Sequence, residues 1–408
     1  MDLPTIAPAR RNILVLSSVI TMVAVALFGR IVFGSLTDLF DFQLYYMAVQ
    51  NILHGQMPWA YGVEFYYPPL AFVPLLIAYA ISLAAGGEFL VFAVAMWALM
   101  LVCGITTTFC VYYIGLKIYS EKTAFIAAMI NATAISVAYY SLCRFDPFPA
   151  CLAMIAVLAT VYDDKGTGYL ASILGLFTKI WPIVLFPFLW IYNARDASIA
   201  VEGKKSAYAF LVGSGLLFCL MIVAGYDKFL GYADRVYCNT IPYTADQYLQ
   251  MAGIVIPFSI IATLFRILTV GVLIGALYLM YYQPKNIVLM LKLILVVIIA
   301  VIVFSQYRSP QYIVWFTPFA ALLVADDIRG IILFIGVQII AYIEYPLAFG
   351  VLYVNDHYVS ESALLFFTVF FLMIGLLLSR AMTMQNPDVT SDDGAGREVK
   401  IRKKSYHR

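Results

Sequence analysis

Apolar runs of bilayer-spanning length recur along the chain, separated by short polar steps. They lie at about 12–34, 89–116, 123–141, 147–162, 206–226, 267–283, 287–304, 313–325, 330–346 and 362–380. Two further apolar stretches break the rhythm. Residues 168–192 hold Lys179 and Pro182 at their centre, and residues 69–85 follow Pro68-Pro69 and end at Gly86-Gly87. Lys and Arg in short loops set orientation. Arg10-Arg11, Lys117 and Lys122, Arg195, Lys204 and Lys205, Lys285 and Lys292, Arg329 and the tail therefore belong on the cytoplasmic side. The opposite side keeps 35–68, 142–147, 227–253, 305–312 and 345–361. This alternation closes if 168–192 is a hairpin with Lys179 at its outer tip and 69–85 is re-entrant or interfacial. The pattern then predicts an all-α polytopic membrane protein with about twelve transmembrane helices.

One polar stretch interrupts the apolar rhythm, "DFQLYYMAVQNILHGQMPWAYGVEFYYPPL", residues 41–70. Phe42, Tyr45, Tyr46, Val49, Ile52 and Leu53 recur at helical spacing, which predicts an amphipathic helix over 41–54 lying at the interface. Gly55 ends it, and Pro58-Trp59 turns the chain back. Asp41 sits in its first turn, where a carboxylate is favoured, and reads either as an N-cap or as a functional acid.

Composition agrees with the pattern. The 408 residues are 63% hydrophobic and 12% charged, where a soluble domain is near half apolar and a quarter charged. A net charge of +2 gives no field for nucleic acid. The six cysteines lie mostly inside apolar runs and read as small core residues. The first run is too long for a signal-peptide core and reads as a retained span. The organisation expected is one transmembrane domain over 1–381, with its first outer loop at 35–68. The tail 382–408 is expected to be disordered, basic and cytoplasmic, suited to membrane lipids of the inner leaflet.

Candidate chemistry clusters in the outer loops. The first loop offers Asp38, Asp41, His54 and Glu64 with Tyr45 and Tyr67. "SLCRFDPFPACL" (141–152) places Arg144 and Asp146 between two spans, as a local ion pair or as functional charges, since charge near hydrocarbon is costly. Lys179 in "LFTKIWPIVLFP" has no acid nearby in sequence and wants an anion such as a phosphate, unless it snorkels to the interface. "FSQYRSPQYIVWFTP" (304–318) supplies Arg308, Gln311 and Tyr312, groups that suit sugar faces and hydroxyls or form an interfacial aromatic belt. His357 lies in the last outer loop. No P-loop, GxGxxG, HExxH or Ser/His/Asp motif occurs, so nothing here handles nucleotides.

Four blocks in order, spanning 38–320, resemble the GT-C superfamily of membrane glycosyltransferases. They are "DFQLYYMAVQNILHGQMPW", "YYPPL", "FTKIWPIVLFPFL" and "SPQYIVWFTP". The nearest likeness is to polyprenyl-phosphate-mannose-dependent α-mannosyltransferases and to the first mannosyltransferase of GPI-anchor synthesis. The chain departs from that pattern at "QMPW", where Tyr commonly follows the Pro. The resemblance implies a GT-C fold and an inverting transfer of a hexosyl, chiefly mannosyl, group from a polyprenyl-phosphate sugar donor. The acceptor would be a lipid or glycan at the non-cytoplasmic face of a cell membrane. Asp41 matches the family's general base; Asp38 is the alternative base, or would hold a metal jointly with Asp41. Lys179, Arg308 and Arg144 would contact the donor phosphate. Asp38, Tyr45, His54, Glu64, Tyr67, Gln311, Tyr312 and His357 would contact sugar or acceptor. No cofactor is implied. A secondary transporter or flippase for lipid-linked saccharides, and a non-catalytic partner subunit, are the competing classes. The discriminator is whether Asp41, Lys179 and Arg308 converge on one cavity.

Overall fold

Local chemistry sets the helix boundaries in the computed structural model, which describes residues 1–195, 239–352 and 361–384 with isolated positions between 201 and 236. Most of the expected span 206–226, most of the 227–253 loop up to residue 238, His357 and the tail after 384 lie outside the described residues. α1 (Pro8–Phe33) begins with Pro8, whose missing N–H costs nothing in a first turn, and ends at Gly34 with φ 72°. Asp38 Oδ1 accepts from the Phe40 N–H at 2.9 Å and starts α2 (Phe40–Leu53). At its far end, Gly55 and Gln56 donate back to Ile52 and Asn51 at 2.9 and 2.8 Å. Asn51 Nδ2 then ties the following loop through the carbonyls of Pro58 and Ala60, both at 3.1 Å. The amphipathic helix read from the sequence is therefore present, with Phe42, Tyr45, Ala48 and Val49 buried.

The chain continues through α3 (Phe72–Ala84), α4 (Phe89–Leu116), α5 (Glu121–Ala132), α6 (Ile135–Cys143), α7 (Pro147–Val161), α8 (Lys165–Thr178) and α9 (Phe186–Ala194). After the undescribed stretch come α10 (Ile241–Met251), α11 (Phe258–Tyr282), α12 (Ile287–Phe304), α13 (Ile313–Val324), α14 (Ile328–Tyr342), a single turn Phe349–Leu352 and α15 (Glu361–Thr383). Among the described residues there is no strand. Among the described residues six helices are long and apolar enough to cross a membrane (α1, α4, α11, α12, α14 with its continuation to Leu347, and α15), or seven if the α5–α6 pair, bent by 46°, is one span. The chain is thus a multi-pass helical membrane protein. α3, α7, α9 and α13 are shorter apolar helices.

The 168–192 stretch folds as the expected hairpin. Lys165 Nζ donates to Asn193 O at 3.2 Å, Asn193 Nδ2 donates to the Tyr169 hydroxyl at 3.2 Å, and the Tyr169 and Phe186 rings meet at 5.6 Å. The open end of the hairpin is thereby zipped, and Lys179, in extended backbone, sits at the closed end.

α12 and α13 form the centre of the bundle and are buried nearly all round, whereas α11 leaves Ile260, Leu264, Ile267 and Ile274 exposed, as a lipid-facing helix does. Between apolar helices the hydrophobic effect gives little, so close backbone approach and buried hydrogen bonds hold the pairs. Ser136 Oγ donates to Gln338 O at 2.7 Å, Gln338 Nε2 to Thr317 Oγ1 at 3.0 Å, and Asn131 Nδ2 to Thr108 Oγ1 at 3.0 Å. Gly115 lets α4 approach α5 so closely that a Cβ there would stand 3.0 Å from Ala124 Cα.

The cations that the sequence assigns to cytoplasmic loops gather at one end. Lys117 lies over the Tyr162 ring at 4.4 Å, Arg195 donates to Gln283 O at 2.8 Å, and Lys292 Nζ donates to Met382 O at 2.9 Å. α2, the 144–146 turn, Lys179 and the 305–311 and 343–349 segments lie at the other end.

Replacing Gly115 by Leu should lower the melting temperature in detergent, with an overpacking cost of about 1–3 kcal/mol. Gly104→Ala, where a Cβ meets nothing within 4 Å, should leave it unchanged. Equal melting of both variants and wild type by scanning fluorimetry would contradict the close α4–α5 approach.

Candidate functional site

α2 is short and lies at the non-basic end, so its first turn brings polar groups to the ends of the spans. Asp41 Oδ2 lies 2.8 Å from Arg144 Nε, an ion contact whose N–H is not aligned for a hydrogen bond, and accepts from the Tyr45 hydroxyl one turn on at 3.3 Å. Asp38 Oδ2 lies 3.8 Å from the same guanidinium and accepts from the Tyr345 hydroxyl. Arg144 in turn donates to the Tyr345 oxygen at 3.3 Å and to Cys143 O at 2.9 Å. One guanidinium is thus shared by two carboxylates and a phenol. The N-cap reading of Asp41 does not hold: Asp38 does the capping, and the Asp41 carboxylate makes no cap hydrogen bond.

These groups line a cavity of about 350 Å³. Its wall contains Asp38, Asp41, Tyr45, Glu64, Tyr67, Arg144 and Gln311, seven of the residues singled out from the sequence, together with Tyr307, Ser309, Tyr345 and Phe349. Burial lifts the Asp41 carboxyl above the ordinary value of 3.8, and the neighbouring Asp38 adds to the rise. Arg144 and the Tyr45 hydroxyl pull it down without cancelling the burial.

Two of the expected phosphate cations are not at this wall. Lys179 Nζ pairs with Asp146 Oδ1 at 2.7 Å, and the Trp315 indole donates to the same oxygen at 2.8 Å. The ammonium is enclosed by the rings of Tyr67, Phe145, Tyr312 and Trp315 at 5.3–5.5 Å. The acid missing from its sequence neighbourhood is Asp146, fully buried and 33 residues away. Arg144 and Asp146 therefore do not pair with each other; the turn between α6 and α7 points them to different partners. Arg308 is 1% exposed and pairs with Glu344, also 1% exposed. Its charge is met behind the wall. Asp41, Lys179 and Arg308 do not converge on one cavity, so the convergence that would single out a transferase is absent and Asp41 shares the wall with Arg144 instead.

Tyr312 belongs to the cage around Lys179, stacked on Trp315 at 3.8 Å. His54 is exposed at the far end of α2, thirteen residues from Asp41 and so about 20 Å along the helix axis. Its ring nitrogen lies 2.8 Å from Gln50 O. His357 lies outside the described residues. Tyr345 and Glu344 were missed by the sequence reading, although an acid within the apolar run 330–346 and two residues before a Pro was a signal. Among the described residues no group of three or more His, Cys, Asp or Glu is arranged to hold a metal ion.

Chemically, the cavity offers a carboxyl group whose basicity burial has raised, a guanidinium fork, and aromatic and amide groups. That set can accept a proton, hold an anionic oxygen and bind a ring with hydroxyls. No protein-family model matches the chain, and no curated protein matches it.

Breaking the rear pair should be costly. Lys179→Met leaves Asp146 buried and uncompensated and should destabilise the protein by about 3–5 kcal/mol, whereas Lys179→Met with Asp146→Leu should recover most of the loss. Thermal unfolding of the two variants checks this; a double variant no more stable than the single one would contradict the pairing.

Proposed function

We propose that the chain is a membrane glycosyltransferase of the GT-C type. It moves a hexosyl group, mannosyl in the first instance, from a polyprenyl-phosphate sugar to a lipid- or glycan-linked acceptor. The observation that carries this reading is Asp41, held by Arg144 at the wall of a cavity at the end of the bundle away from the basic loops. By the positive-inside rule that end faces the non-cytoplasmic side. The same reading takes the fold as GT-C with about twelve crossings, the shorter apolar helices supplying those beyond the long ones.

In this reaction Asp41 takes the proton of the acceptor hydroxyl as its oxygen attacks the anomeric carbon. The bond to the phosphate oxygen breaks, and its electron pair leaves with the polyprenyl phosphate. A single displacement inverts the anomeric centre, so one carboxylate suffices. Arg144 both keeps Asp41 ionised and faces the cavity, and it takes the phosphate-stabilising role for which Lys179 and Arg308 are already paired with acids. Gln311, Tyr67 and Glu64 offer hydrogen-bonding and stacking groups to the sugar or acceptor.

A second reading, a carrier or flippase for lipid-linked saccharides, draws on the bent α5–α6 pair and on Glu344, an acid buried where α14 is interrupted. It predicts movement of the lipid-linked sugar across vesicles without a new glycosidic bond.

Purified full-length protein in lipid should transfer radiolabel from polyprenyl-phosphate mannose to a lipid extract, and Asp41→Asn should lose about 10²–10⁴-fold of that rate. Equal transfer by both proteins would remove Asp41 as base and turn attention to Asp38. Transport without transfer would favour the carrier.

Because the raised pKa of Asp41 means that protonation removes the base at higher pH than for an ordinary aspartate, kcat/KM should fall on acidification with a midpoint above 3.8. A pH–rate profile from about pH 4 to 8 checks this. An acid limb at or below the ordinary carboxylate value would contradict it.

A further inference from the structure

Two walls of the cavity, the 307–311 loop and the 343–349 segment, are joined behind it by buried charge. Arg308 Nε donates to Asn239 O at 2.8 Å, and its terminal nitrogen pairs with Glu344 Oε1. Asn239 Nδ2 donates to the same Glu344 oxygen at 2.9 Å, which closes a triangle between three segments far apart in sequence. The Arg308 guanidinium also lies over the Phe370 ring of α15 at 4.8 Å. None of these three polar residues lines the cavity, but their chain neighbours Tyr307, Ser309 and Tyr345 do.

Tyr345 is the point where this matters. Pro346 interrupts α14, and the chain after Tyr342 passes into a single wider turn over 343–347, closed where the Ala348 N–H donates to Ile343 O at 2.8 Å. Its hydroxyl nonetheless stands between Asp38 and Arg144, and the Arg144 guanidinium lies 5.5 Å above its ring. A buried ion pair is an expensive way merely to join helices, since apolar side chains of similar volume do as well or better. Its value here is direction, because it clamps Glu344 one residue before Tyr345.

We propose that Arg308, Glu344 and Asn239 form a positioning brace that fixes the Tyr345 hydroxyl between Asp38 and Arg144, and so sets the contact between Arg144 and Asp41. The catalytic consequence rests on the transfer reading; the geometry does not. With the brace intact, Arg144 stays close to Asp41. With it lost, Tyr345 swings away, Arg144 loses a partner, and its hold on Asp41 loosens.

The test titrates Asp41 directly in the purified full chain, by the pH-dependent infrared carboxyl band that disappears in Asp41→Asn. The charged and titratable groups facing Asp41 are Arg144, Asp38 and Tyr45, with Asp146 farther off. The double variant Arg308→Met/Glu344→Leu replaces the pair by apolar volume. It should raise the Asp41 midpoint by about one pH unit, the scale of a weakened neighbouring cation. Tyr345→Phe should raise it in the same direction, and the combination should shift it no further. If the double variant does not fold, Glu344→Gln, which keeps the acceptor oxygen but removes the charge that draws Arg308 to it, takes its place and should shift the midpoint the same way by a smaller amount.

A merely structural pair would lower the yield of folded protein and leave the midpoint where it is in wild type; that result, or an unshifted Tyr345→Phe, overturns the brace. In the transfer assay the acid limb of kcat/KM should move with the infrared midpoint. Wild-type protein that transfers nothing would overturn the transfer reading while the infrared titration still decides the brace.

Discussion

Charge placed at the end of an apolar bundle must be neutralised locally, because water is scarce and hydrocarbon is close. In this protein the contact that the rest depends on is Arg144 between Asp38 and Asp41. It joins the α6–α7 turn to the first turn of α2 and holds a helix that does not cross the membrane against the ends of those that do. Without it, two carboxylates would face each other across a half-buried wall. With it, both carboxylates meet a cation at the wall of a cavity that six aromatic rings help to line.

Two further buried pairs stand behind that wall and serve a different purpose. Lys179 with Asp146 fixes the closed end of the α8–α9 hairpin to the start of α7 and, through Trp315, to α13. Arg308 with Glu344 ties the α12–α13 connection to the interrupted end of α14. In each, the acid and the base come from different segments, so the pairs act as cross-links among span ends. By satisfying Lys179 and Arg308 internally, they leave Arg144 as the cation at the cavity wall among the described residues. The aromatic lining follows from the same constraint, since rings can cover buried cations and still present edges and hydroxyls to a ligand.

Much of the fold was legible from hydropathy. The 3.6-residue recurrence of Phe42, Tyr45 and Val49 gave α2, and Lys179 beside Pro182 marked the turn of the hairpin. The first-loop residues that share the cavity wall were legible too, because polar groups cannot be scattered at random next to spans. The pairing of charges was not. Lys179 lacks an acid in its own sequence neighbourhood because its partner lies 33 residues away at the start of α7, and a local Arg144–Asp146 pair stayed open as a reading only because one residue separates them. Sequence spacing reports neighbours along one helix face, whereas ion pairs between span ends depend on how the helices pack. Tyr345 escaped for a related reason: its position depends on the break at Pro346, which hydropathy does not resolve.

On the proposed transfer reading, the cavity bounded by Asp41, Arg144, Tyr67 and Tyr345 is where a lipid-phosphate sugar would meet its acceptor. The most direct measurement is a cryo-electron-microscopy structure of the full chain in a lipid nanodisc with a non-hydrolysable polyprenyl-phosphate mannose analogue. The account predicts density for the sugar phosphate in that cavity, with its phosphate oxygens at the Arg144 guanidinium and the anomeric carbon facing Asp41. An analogue bound at another place on the bundle, with Asp41 and Arg144 still in contact only with each other, would contradict it.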